Sequence, residues 1–97
     1  MPAYIISDVT IRDREAFEAY RSRAAASIAA HGGRYLVRGG DVDALEGNWQ
    51  PGLLIVVEFP DSETARRWYR SDEYAAALEV RDTALSRNLI LVEGIGS

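Results

Sequence analysis

The side chains of this chain that could do chemistry are one histidine, a few carboxylates and a set of arginines interleaved with aromatics. His31 is the only histidine. It falls in helical register with Tyr20, Ala24 and Ile28, where it could serve as a general base or proton shuttle in a cleft between helix and sheet. The plainer alternative is a helix-terminal His satisfied by backbone carbonyls or by the helix dipole. Glu58 follows the apolar run Leu53-Leu54-Ile55-Val56-Val57 and shares a strand face with Leu54 and Val56. Buried there, it needs a raised pKa or a cation such as Arg38 or Arg81. Asp8 closes an earlier strand, taken here as a parallel neighbour, and is expected beside Glu58. A carboxylate pair suits acid/base work, although a salt bridge at a sheet edge perturbs pKa values in the same way. His31 and Glu58 are therefore the candidate catalytic residues.

The candidate ligand-binding residues are Arg38, Tyr74, Arg81 and Trp68. Arg38 stands before Gly39-Gly40, and a guanidinium can hold a carboxylate or enolate in a two-pronged fork while glycines let backbone approach closely. Its structural alternative is an ion pair with Glu58 or Asp8. Tyr74 and Arg81 could orient a small molecule in a pocket partly walled by Trp68, whereas aromatics at helical spacing usually pack in a core. Arg66-Arg67-Trp68-Tyr69-Arg70 mixes base and aromatic as nucleic-acid contacts do. Glu63 lies three and four residues before Arg66 and Arg67, so helix ion pairs account for two of those charges.

Other chemistry is excluded or has no legible apparatus. There is no cysteine, which removes disulfides, thiolate catalysis and Cys-based metal sites. All eleven basic residues are Arg, so no lysine side chain can form a Schiff base. One His and scattered carboxylates lack metal-ligand spacing, and no metal is expected. A haem would need His31 as axial ligand with no other part of its pocket in evidence, so no cofactor is expected. No phosphate loop, dinucleotide fingerprint or nucleophile elbow occurs. The net charge of −4 argues against nucleic acid as a partner.

The elements that must position these residues can be read from periodicity. The length of 97 residues and 47% hydrophobic content suit one globular domain spanning 1–97, with no stretch long enough to span a membrane and no signal pattern. A soluble cytoplasmic protein is expected. Residues 3–9 form a strand. Asp13 caps a helix carrying Phe17, Tyr20, Ala24 and Ile28, and Gly32-Gly33 ends it. A strand at 34–38 leads through a long connection at 41–52, with a possible strand around Val42–Glu46, to a strand at 53–59. Asp61 or Ser62 caps a short helix bearing Ala65, Trp68 and Tyr69. Ser71-Asp72 recaps the chain into a helix at 73–87, and residues 89–95 make a last strand. This βαββαβ order is the α+β ferredoxin-like arrangement: an antiparallel sheet in order 4-1-3-2 with both helices on one face.

The opposite face poses the problem of assembly. Leu53–Val57 and Leu89–Val92 are apolar on both sides, so the helix-free face presents several hundred Å² of apolar surface, unusual on a soluble monomer. A second copy packed face to face would cover it, and a homodimer is expected.

Several blocks in order carry a family resemblance: His31-Gly32-Gly33-Arg34-Tyr35-Leu36-Val37-Arg38-Gly39-Gly40, then Leu45-Glu46-Gly47-Asn48-Trp49-Gln50-Pro51, Val57-Glu58-Phe59-Pro60-Asp61, Ala65 to Tyr74, and Val92-Glu93-Gly94. Together they resemble the bacterial family known as domain of unknown function 1330, in the dimeric α+β barrel superfamily. The resemblance implies ferredoxin-like protomers whose sheets pair into a barrel. It implies no activity, since the superfamily spans cofactor-independent monooxygenases, isomerases, haem peroxidases and proteins without known chemistry. The expectation is a homodimer that binds a small apolar or anionic metabolite in a helix–sheet cleft. The alternatives are a cofactor-independent oxygenase or proton-transfer isomerase of the same fold, and a non-catalytic dimer.

Overall fold

The structure, a computed structural model, describes residues 1–96. Strand β1 (Ala3–Ile11) is followed by helix α1 (Arg14–Ala30), strands β2 (Arg34–Arg38) and β3 (Leu53–Phe59), helices α2 (Ser62–Tyr69) and α3 (Asp72–Ala84), and strand β4 (Leu85–Glu93). The four strands form one sheet in the order β2-β3-β1-β4, every neighbouring pair antiparallel. This is the α+β ferredoxin-like arrangement expected from the order of elements.

Each helix starts where a short polar side chain takes an orphan amide. The Ala16 amide donates to Asp13 Oδ1 at 2.9 Å, that of Thr64 to Asp61 Oδ1 at 2.7 Å, and that of Tyr74 to Ser71 Oγ at 3.1 Å. Helix α1 ends in a Schellman motif: Gly33 N–H donates to Ile28 O and Gly32 N–H to Ala29 O, with Gly32 at φ +73°.

Alternation along the central strands sorts side chains between two faces. Ala3, Ile5, Ser7 and Val9 of β1, with Val57 and Phe59 of β3, are buried toward the helices. Phe17, Tyr20, Ala24 and Ile28 of α1, Ala65 and Trp68 of α2, and Tyr74, Ala77 and Ala84 of α3 complete that core. Ile6, Leu54, Val56, Ile90 and Val92 alternate onto the other face, where Ile90 is 54% exposed. Among the described residues no helix covers that face; Trp49, reaching from the β2–β3 connection, sits at one corner beside Ile6, Leu54 and Ile90.

Three expectations are corrected. The connection at 41–52 contains no strand at Val42–Glu46. The long helix stops at Ala84 rather than at residue 87, because β1 continues to Ile11 and pairs with β4 from Leu85 onward. The amides of Arg12 and Asp13 also take the Ala84 carbonyl, at 2.8 and 3.2 Å, so sheet pairing wins over another helical turn. Finally, β1 and β3 run antiparallel: Asp8 lies opposite Leu54 and Glu58 opposite Tyr4, which puts the two carboxylates at opposite ends of the pair.

Candidate functional site

Arg87 sits on edge strand β4, opposite Val9, on the face that carries the helices. Its guanidinium reaches two phenols: Nη1 donates to Tyr20 OH at 2.5 Å and Nη2 to Tyr74 OH at 2.7 Å, and the two hydroxyls are 2.6 Å apart. Tyr20 comes from the middle of α1 and Tyr74 from the first turn of α3. The trio therefore joins both long helices to the sheet edge. Burial works against the charge of Arg87, but the oxygens of Tyr20 and Tyr74 outweigh it and hold the guanidinium above its ordinary range. Tyr74, fully buried, has its pKa raised chiefly by desolvation and then by Tyr20, with Arg87 opposing. It stays a neutral hydrogen-bonding group rather than a base.

No carboxylate pairs with Arg87 among the described residues. A partly buried cation held by two neutral phenols keeps its full charge with no anion beside it. It also faces open space. Arg12, Arg81 and Arg87, with Tyr69, Asp82, Leu85, Ser86 and Leu89, line a groove of about 480 Å³ between β4 and the helices. A second space of about 290 Å³, sharing Tyr69 and Leu89, continues it along Ile5, Ala65 and Leu91, and is lined by Arg66 and Arg70 as well. The groove is thus mainly polar and cationic at one end and mixes aliphatic side chains with two further arginines at the other, within the size range of small-molecule sites. Arg81 pairs with Asp82 at 3.1 Å on the rim, and Arg12 has no ion-pair partner among the described residues.

On the α1 side of Arg87 the interior is nearly closed. A cavity of about 40 Å³ remains there, bordered by Ser7, Tyr20, Tyr35, Arg38 and Trp68 among others. That is room for a water or two, not for a metabolite.

The structure scatters the residues singled out from sequence. Arg81 lines the groove and Tyr74 stands directly behind Arg87. Trp68 is buried, donating Nε1–H to Ser27 Oγ at 2.9 Å while its ring lies 4.2 Å from that of Tyr74. Arg38 is on the opposite sheet edge, its guanidinium stacked 4.6 Å from the Tyr35 ring, and joins neither Arg81 nor Glu58. Glu58 belongs to the helix-free face and accepts from Arg34 Nε at 2.7 Å; it does not buttress the cleft arginines. His31 caps α1, with Nδ1 3.0 Å from Ser27 O and Nε2 3.4 Å from Glu73, and lines none of these spaces. Asp8 anchors the β2–β3 connection by accepting from Trp49 Nε1 and Gly52 N.

Arg87 and Tyr20 escaped sequence reasoning as site residues. A helix drawn to residue 87 hid Arg87. The usable signal was alternation, since Leu85, Arg87 and Leu89 point one way and the polar Ser86 and Asn88 the other.

Comparison with known proteins places the chain. Among solved structures, a protein of unknown function from Rhodopseudomonas palustris superposes with a TM-score of 0.78 at 20% identity, covering 99% of this chain and 84% of that one. SnoaB, a cofactor-independent oxygenase from Streptomyces nogalater, gives 0.67 at 13% identity, covering 99% and 95%. A dimeric ferredoxin-like protein of unknown function from Bacteroides fragilis gives 0.60 at 16% identity, covering 96% of each. These likenesses show the fold. No curated protein matches the sequence. The family model described as domain of unknown function (DUF1330) matches residues 2–95, and the chain belongs to that family.

Proposed function

We propose that this protein is a homodimer that binds a small, largely apolar anion in the groove along β4. The observation that carries the reading is Arg87: a partly buried cation, oriented by two phenols, without a carboxylate partner among the described residues and open to a groove that continues along Ile5, Ala65, Leu89 and Leu91, with Arg66 and Arg70 beside them. An anion there would supply the missing counter-charge, with Arg12 and Arg81 adding field at the mouth. Leu89, Leu91 and Tyr69 would take its apolar body. The helix-free face, with Ile90 and Val92 exposed and Ile6, Leu54 and Val56 beside them, supports a second copy as its cover. That use also agrees with the dimeric state named for the Bacteroides fragilis relative.

An oxygenase or isomerase reading has less behind it. His31 and Glu58 lie away from the groove, and Tyr74 keeps its proton. Among the described residues, the only carboxylate lining the groove is Asp82, already paired with Arg81.

A thermal-shift panel of small anions and their neutral analogues tests the proposal. Binding only to the folded state stabilises by RT ln(1 + [L]/Kd), about 2.7 kcal/mol at a hundredfold excess over Kd. Stabilisation is expected from apolar anions and not from neutral analogues, and it should weaken in the Arg12→Ala/Arg81→Ala double variant. Equal responses to charged and neutral members would remove the anion from the account.

A further inference from the structure

The Tyr20–Tyr74–Arg87 trio has more donors than it can use. A guanidinium carries five N–H groups, and each phenol adds one O–H. The two tyrosine oxygens, 2.6 Å apart, accept one bond each from Nη1 and Nη2, taking the end-on edge that a carboxylate would otherwise fill. One hydroxyl proton lies in the bond between the phenols. Three N–H groups of Arg87 and the second hydroxyl proton have no acceptor within the trio. The N–H groups still available include Nε–H, so the remaining two-donor edge is the side-on pair Nε and Nη2.

From this, and resting on the groove proposed above, we infer that the ligand is a monocarboxylate with an aryl or branched-alkyl body, its two oxygens held side-on by Nε and Nη2 of Arg87. A single planar edge matches the two coplanar oxygens of a carboxylate, and Leu89 and Leu91 along the groove suit a ligand whose only charge is that carboxylate. Tyr20 and Tyr74 are positioning residues: they fix the guanidinium plane and touch the ligand only through it.

The test is an NMR titration of the full chain with benzoate, inorganic phosphate and benzyl alcohol at constant ionic strength, following Arg87 Nε–H together with Leu89 and Tyr69. Benzoate is expected to move Nε–H downfield and to bind at least about tenfold more tightly than phosphate, a difference of about 1.4 kcal/mol. Arg87→Lys keeps the charge but not the fork, and should lose that preference. Tyr20→Phe keeps the guanidinium but frees one prong, and should narrow the benzoate-to-phosphate ratio with circular dichroism unchanged. Phosphate binding as tightly as benzoate, or an unaltered ratio in either variant, would overturn the carboxylate fork while leaving the groove in place. Failure of every probe to perturb Leu89, Tyr69 or Arg87 at millimolar concentration would overturn the groove as well.

Discussion

At the scale of single residues, a partly buried cation and two phenols meet where α1, α3 and β4 come together. Tyr74 has the clearest consequence for pH. Its folded pKa lies above the ordinary phenol value of 10.0, because burial and Tyr20 both disfavour the phenolate. The neutral form is therefore the one the fold prefers, and its contribution is complete below pH 10. Above that the unfolded chain binds fewer protons than the folded one, so stability falls as pH rises toward the folded value. Tyr35, raised chiefly by burial, adds in the same direction. Tyr74→Phe should cost about 1–3 kcal/mol at neutral pH by leaving Arg87 and Tyr20 short of a partner. It should also flatten the alkaline loss, and urea midpoints of the two proteins between pH 8 and 11 should converge. Parallel curves would mean that Tyr74 does not titrate as its surroundings dictate. Little of this trio was legible in the sequence. Tyr74 could be singled out from helical spacing, but the Arg that pairs with it is 13 positions on, and the Tyr that completes it 54 positions back. Only the tertiary fold joins them.

At the scale of elements, local chemistry had more to say. Capping by Asp13, Asp61 and Ser71, the glycine stop after α1 and the strand state of the apolar run 53–59 follow from side-chain size, hydrogen-bonding reach and backbone freedom, all of which a sequence displays. Gly32 makes the point measurable. It holds φ at +73° in the Schellman turn, where a Cβ costs about 1–2 kcal/mol. Gly40, just beyond β2, has open space around a would-be Cβ and no positive φ. Gly32→Ala should lower the unfolding free energy by about 1 kcal/mol, whereas Gly40→Ala should leave it within about 0.5 kcal/mol. Denaturant curves showing equal effects would dissolve the assigned role of the turn. What local chemistry could not supply was the end of α3. Residues 85–88 have no breaker, and their strand state comes from nine-residue pairing with β1, a non-local gain invisible to propensity. The same limit put Asp8 beside Glu58: the run of each strand was readable, its direction relative to its neighbour only through the whole topology.

At the scale of the whole molecule, one sheet serves two surfaces. All three helices lie on one side, where Arg87 and the groove are. The other side shows apolar Ile90 and Val92 to solvent, with only Trp49 folded against a corner. The claim, proposed above, that a second copy covers this bare side is tested most directly by the oligomeric state in solution. Sedimentation equilibrium at micromolar concentration should give twice the 10.7 kDa mass of one chain. Ile90→Asp, which places a charge on the most exposed of these apolar side chains without disturbing the helix-side core, should shift the mass to that of a single chain with the fold intact. A wild-type mass of one chain at that concentration, or an Ile90→Asp protein that remains paired, would contradict the claim.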